Sequence, residues 1–244
     1  FLILNAKEGP FADKRVRQAA NYAVNKEALV NDVLEGTAEV AAGPTPPAFA
    51  WAYNPDLEPY PYDPEKAKAL LEESGVEDLS LTFYVTEGGS GMLDPIPMGT
   101  AIQADLEAVG FDVTIETYEW NTFLGQVNPG LEGKADMAEM AWMTNDPDTL
   151  PYLALRTDAW SGRVVFSSGC SPHPKVDELL GAARTETDQN KRAELYQEMQ
   201  TIVQEDAPWV FVANWKQNAV TSDRVENFGL EPSFLLHLGK VVKN

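Results

Sequence analysis

Side chains and backbone able to do chemistry gather in three short stretches: Gly88-Gly89-Ser90-Gly91, Trp142 to Asp148, and Cys170-Ser-Pro-His173. The last offers a thiol and an imidazole. Zinc needs three or four ligands, there is no second such pair, and His237 lies far off in an apolar stretch, so no metal is expected. A Cys–His nucleophile pair fails as well, because residues three apart around a proline fix no base–orienter geometry. Asp146 and Asp148 flank Pro147, a carboxylate pair that could serve acid–base chemistry but more readily makes a turn with solvated side chains. The glycines at 88–91 stand between a strand and a helix, the setting of a phosphate loop. They lack Lys-Ser/Thr and dinucleotide spacing, so nucleotide is not expected. Two readings remain: backbone N–H groups brought close to a ligand, or a flexible turn. No nucleophile elbow, oxyanion motif or triad spacing is present, which disfavours a small α/β hydrolase. No catalytic residue and no cofactor are expected.

The elements that must position these residues are set by periodicity. Leu79, Leu81, Phe83 and Val85 alternate as a strand over 79–86, and Phe111, Val113 and Ile115 as another over 111–118. Between them Ile102, Leu106 and Val109 form one helical face, with Gly110 as the stop. Strand, helix, strand predicts a right-handed parallel crossover. A third strand is expected at 135–142 and a last, continuous and apolar one at 209–213, as befits burial on both faces. Trp142 to Asp148 then leaves the third strand at the edge where open α/β sheets bind ligands. Pro10 to Gly36 reads as two short helices joined at Asn25, with Val16, Ala19, Ala20 and Ala23 inward and Asp13, Lys14, Arg17 and Gln18 toward water. Further helices are expected after Asp63-Pro64 and at about 175–185 and 189–205. Residues 43–62 interleave six prolines with Phe49, Trp51, Tyr53, Tyr60 and Tyr62. Either these aromatics pack onto their own lobe, or they wall a cleft or a protein-interaction surface.

Bulk properties narrow the partners. Thirty-eight acidic against 18 basic side chains give −20 over 244 residues, which argues against nucleic acid and anionic membranes. No apolar run reaches the length of a membrane span. The chain opens inside an apolar run, Phe1-Leu2-Ile3-Leu4, without an initiator Met, as a mature product or an excised piece would. The lone Cys170 forms no internal disulfide.

The wording of several segments carries a resemblance. The run PFADKRVRQAANYAVNKEALVNDVLEG (10–36), the helix YDPEKAKALLEESG and the crossover IQADLEAVGFDVTIETYEW resemble the second lobe of the large solute-binding proteins of peptide-type ABC importers (family 5, cluster C). The resemblance runs from about Pro10 to Gly229. It implies an α/β, periplasmic-binding-protein-like lobe of type II, with a mixed, mainly parallel sheet flanked by helices. Residues 1–206 would form the second lobe, and 207–244 would return as hinge and first-lobe strands.

The resemblance also implies solute capture without catalysis, a permease in the membrane as partner, and a periplasmic location, or an extracellular lipoprotein-anchored one in a Gram-positive source. It places the ligand-binding residues at Glu87, Gly88, Gly89, Trp142, Met143, Thr144, Asn145 and Asp146. In the dipeptide-binding members an aspartate after the tryptophan takes the ligand ammonium. Anchoring on Trp142 puts Asn145 there, whereas anchoring on the later Asp-Pro-Asp puts Met143 there, with Asp146 able to serve by a local shift. Those members also clamp the ligand carboxylate with an arginine before the crossover helix. Residues 87–101 here contain no Arg or Lys, so a bidentate carboxylate clamp is missing and a neutral or cationic peptide-like solute is expected. A cysteine pair common near Cys170 in such members lacks its second half.

Overall fold

The computed structural model describes residues 1–157, 173–230, 236 and 238–244. Cys170 and His237 lie outside the described residues. The centre is a five-stranded sheet in the order β4 (Asp112–Tyr118), β3 (Ser80–Thr86), β5 (Met137–Glu139), β1 (Leu2–Leu4), β6 (Trp209–Val210). β3 pairs in parallel with both β4 and β5, while β1 runs antiparallel to both β5 and β6. Four strands therefore point one way and β1 alone points back. The expected crossover is present: β3 leads through α4 (Pro95–Glu107) to β4, paired in register from Ser80↔Asp112 to Thr86↔Tyr118. Gly99 lets α4 settle on β3, since a Cβ there would meet Val85 Cγ2 at 2.8 Å.

Helices cover both faces. Under α1 (Lys14–Ala23), α3 (Pro64–Ser74) and α4 lie Phe11, Val16, Phe83, Ile102 and Leu106, all fully buried. On the other face α5 (Trp120–Val127), α7 (Pro174–Thr185) and α8 (Gln189–Asp206) cover Phe123, Leu180, Tyr196 and Trp209. Each such side chain contributes roughly 1.5–3 kcal/mol of burial. The helix starts are capped as the sequence suggests. Asp63 Oδ1 accepts from Lys66 N at 2.9 Å ahead of α3, and Asn25 Oδ1 from Ala28 N at 3.1 Å ahead of α2 (Lys26–Ala28). The chain continues from α2 into a π-helical turn at Leu29–Val33.

Three expectations need correction. The run at Phe1–Leu4, to which periodicity assigns no element, supplies β1 in the interior of the sheet. The strand expected over 209–213 is two: β6 ends at Val210, and β7 (Ala213–Trp215) pairs with β2 (Ala38–Val40) in a separate ribbon. Arg17 does not face water. It is 2% exposed and donates to the carbonyls of Phe11 (3.0 Å), Ala12 (3.2 Å) and Asp206 (3.1 Å), and to Asp206 Oδ1 (3.0 Å). Its guanidinium fork thereby clamps the start of α1 to the end of α8. Beyond β7 residues 216–230 run largely exposed, Val220 wholly so, and a short ribbon pairs β8 (Val225–Glu226) with β9 (Val242–Lys243).

Arg17→Ala strands the Asp206 carboxylate and three carbonyls without their donor. We expect a loss of about 3 kcal/mol, read as a lower urea midpoint. Arg17→Lys, which keeps the charge but not the fork, should recover only part of it. An unchanged midpoint in the alanine variant would contradict the clamp.

Candidate functional site

The carboxyl ends of β3 and β5 lie side by side, so the loops after them, 87–94 and 140–148, emerge at one edge. Between them, the loop after β2 and the segment 211–217 opens a cleft of about 410 Å³. One wall carries Met92, Leu93 and Met98, another Met140, Trp142 and Met143. Pro46 and Phe49 close a third side, and Phe211, Asn214 and Trp215 a fourth. Polyproline stiffness thus serves the cleft at Phe49. Trp51 instead turns inward and meets the Tyr196 ring edge-on at 5.8 Å. The two readings of the aromatic loop each hold for different residues.

Of the residues singled out in sequence, Trp142, Met143 and Thr144 line the cleft, and Glu87, Gly88, Gly89, Asn145 and Asp146 do not. Gly89 has a different neighbour: a Cβ on it would collide with Cε3 of Trp120. The glycine permits close approach to an indole of the same chain. Gly91, two residues on, is the glycine of this loop at the cleft. Asn145 is exposed. Asp146 points its carboxylate at the start of α6 (Thr149–Ala154): Oδ1 accepts from the N–H groups of Asp148 and Thr149 (both 2.8 Å), and Oδ2 from Thr149 Oγ1 (2.6 Å). Thr144 Oγ1 fastens the same turn by donating to the Asp146 carbonyl at 2.8 Å. Asp148 is likewise engaged, 3.3 Å from Arg184 Nε and accepting from the Tyr196 hydroxyl at 3.2 Å. Burial pushes its carboxyl above the usual range, with Arg184 pulling it back.

Glu139, at the end of β5, is not among the residues that the sequence singles out. It is the one ionisable side chain among the described residues that line the cleft, and it is 4% exposed. The last ladder pair between β5 and β3 is Tyr84↔Ala138, and beyond it Glu139 Oε1 takes the N–H of Thr86 at 2.8 Å. Burial pushes this carboxyl up to about 8, against the Thr86 N–H, which favours the charge. An acid inside an otherwise apolar strand was the available signal. Among the described residues no three His, Cys, Asp or Glu side chains gather as a metal requires, and no helix is long and apolar enough to cross a membrane.

A mixed sheet clad in helices, with an apolar cleft open at its carboxyl edge, is the architecture of a solute-binding-protein lobe. The chain belongs to the bacterial extracellular solute-binding proteins, family 5, whose middle-region model matches residues 1–162. It is 33% identical over 238 residues to heme-binding protein A of Haemophilus influenzae and 32% identical over 239 residues to the dipeptide-binding protein of Escherichia coli K12. These matches cover 95% of this chain and 42% and 43% of those proteins. The chain therefore spans less than half the length of these relatives. Among solved structures, the dipeptide-binding protein of Pseudoalteromonas in complex with Met-Leu superposes over the whole chain, with a TM-score of 0.84 and 27% identity over 48% of that protein. A periplasmic binding protein associated with an ABC transporter of Helicobacter pylori, in complex with the peptide STSA, gives 0.80 and 30% over 46%. The fold is the type II periplasmic-binding-protein lobe.

The raised Glu139 carboxyl makes stability depend on pH. The folded state holds a proton that the unfolded chain, at its ordinary value of 4.5, releases earlier. The stabilisation is complete below 4.5 and is lost as pH rises toward about 8, on the order of a few kcal/mol in all. The comparison with Glu139→Gln isolates the carboxyl. Urea denaturation at pH 5 and pH 8 should show wild type losing stability relative to the variant as pH rises, and parallel curves would refute the assignment.

Proposed function

We propose that this chain forms the second lobe of a two-lobed solute-binding protein that captures a small peptide-like solute, neutral or cationic, and passes it to the membrane permease of an ABC importer. The observation that carries this reading is the open apolar cleft at the carboxyl edge of a family 5 lobe, walled in part by Trp142, Met143 and Thr144. Relatives named for dipeptides and complexes with Met-Leu and STSA support the peptide-like class. Residues 1–206 are the body of the lobe and 207–244 its return toward the other lobe. In support of a return segment, the chain after β6 leaves the main sheet, forms the β2–β7 ribbon and then runs exposed with Val220, Leu236 and Leu238 uncovered, although β6 itself still completes the lobe's sheet. Glu87, Gly88, Gly89, Asn145 and Asp146 act at the rim: the glycines set the course of one loop, and Asp146 rigidifies the other.

The mechanism is physical rather than chemical. The lobes close because the solute contacts both faces only in the closed state, so its differential affinity shifts the population. The intact protein works in the periplasm, or anchored outside the cell in a Gram-positive source. The missing cation at 87–101 sets the ligand preference, since a free carboxylate finds no guanidinium there.

Calorimetry on the intact protein with an apolar dipeptide and its C-terminal amide tests this reading. The amide should bind at least as tightly as the free acid, and both should be recovered unchanged. Tight binding of the free dipeptide that amidation abolishes would overturn the preference. Hydrolysis, or no binding of either, would overturn the function.

A further inference from the structure

We infer that Glu139 is the residue on which this cleft seats the protonated amine of an apolar solute, an inference that rests on the solute-capture reading. Three observations converge on it. The cleft wall is otherwise uncharged, and its bulk is thioether, aliphatic and aromatic: Met92, Met98, Met143, Leu93, Phe49 and Trp215. A solute that fills it is mostly apolar, and a charged group on that solute meets one ionisable side chain. Second, the acids that follow the cleft tryptophan in sequence are already engaged. Asp146 caps α6, and Asp148 holds Arg184 and Tyr196. Third, Glu139 is held in place from one side only. The Thr86 N–H fixes Oε1 at 2.8 Å, and a carboxylate with two oxygens has acceptor capacity left.

The energetics favour an amine over other charged groups. A buried carboxylate without a countercharge is costly, so with the cleft empty the group holds its proton, in keeping with the upward push that burial gives it. An arriving ammonium supplies the countercharge. The carboxyl proton passes to bulk solvent, and an ammonium–carboxylate pair replaces an acid and a free cation, so charge and protons balance. An arriving carboxylate gains nothing comparable. The groups facing Glu139 are few. Just before β1 there is Phe1, whose carbonyl accepts from the Met140 N–H at 2.8 Å. From β3 come Tyr84 to Thr86, and from the loops Gly91 to Leu93, Met140 to Thr144 and Phe211 to Trp215, with no charged side chain.

The test is calorimetry on the intact protein with two probes, leucyl-leucine amide and its N-acetyl derivative, which differ in the amine alone. Wild type should bind the free amine at least about tenfold more tightly. Titrations in buffers of different ionisation enthalpy near pH 7 should report release of about one proton per amine bound. Glu139→Gln keeps an acceptor for Thr86, so the fold of the strand end is retained. It should erase both the amine advantage and the proton release while binding the acetylated probe as wild type does. Equal affinity of wild type for the two probes would overturn the inference and leave solute capture standing, as would equal weakening of both probes by Glu139→Gln. Failure of both probes to bind wild type would remove the solute-capture reading and this inference with it.

Discussion

Four strands that point the same way force the loops at their ends to one edge, and that constraint organises the rest of this molecule. The parallel registers of β3 with β4 and β5 bring Thr86, Tyr118 and Glu139 to a common level. The segment after each strand must then either cover that edge or leave it open. Here α5 starts directly after β4 and packs beneath, with Trp120 stacked on Phe123 at 5.9 Å. The loops after β3 and β5 instead stand apart and hold a cleft between them. β1, running against its neighbours, lets the sheet continue toward β6 without a further crossover.

The cleft is apolar because its walls are the frayed margins of the two cores. Met140 and Phe211 belong to the core under α7 and α8, Ile102 and Val212 to the core under α1 and α4, and all four line the opening. The side chains that line the cleft are thus continuous with those that stabilise the lobe, and a shift in one is felt in the other. Methionine suits such a place, being unbranched and polarisable and able to adapt to the shape of its partner. Within this setting Glu139 is the one ionisable side chain among the described residues that line the cleft, and low dielectric magnifies any charge it takes on.

Much of the fold was legible because periodicity records burial. Leu81, Phe83 and Val85 announced β3, and Ile102 with Leu106 announced α4. β1 escaped because three residues show no period, and its place in the sheet is decided by partners more than a hundred residues away. Arg17 escaped because helical patterning counts arginine as polar, whereas its long stem and fork are suited to buried carbonyl clusters. The site was half legible. Trp142 to Thr144 could be placed because they come directly after a strand. Asp146 was ambiguous in principle, since capping a helix and holding an ammonium need the same side chain, and only geometry tells them apart. Gly89 was ambiguous in the same way, close approach to an indole and to a ligand both demanding a missing Cβ. Glu139 passed unmarked because a strand pattern of small and apolar residues absorbs one acid without losing its shape.

On the proposed reading the solute occupies the cleft at the carboxyl edge, and the methionines report on that occupancy directly. Of six in the chain, Met92, Met98, Met140 and Met143 line the cleft, while Met137 and Met199 are fully buried elsewhere in the cores. Methyl-labelled methionine NMR on the intact protein, titrated with leucyl-leucine amide, separates the two groups. Resonances of Met92, Met98, Met140 and Met143 should move on binding while those of Met137 and Met199 stay. Saturable binding that leaves the four cleft methyls unmoved would contradict occupancy of the cleft.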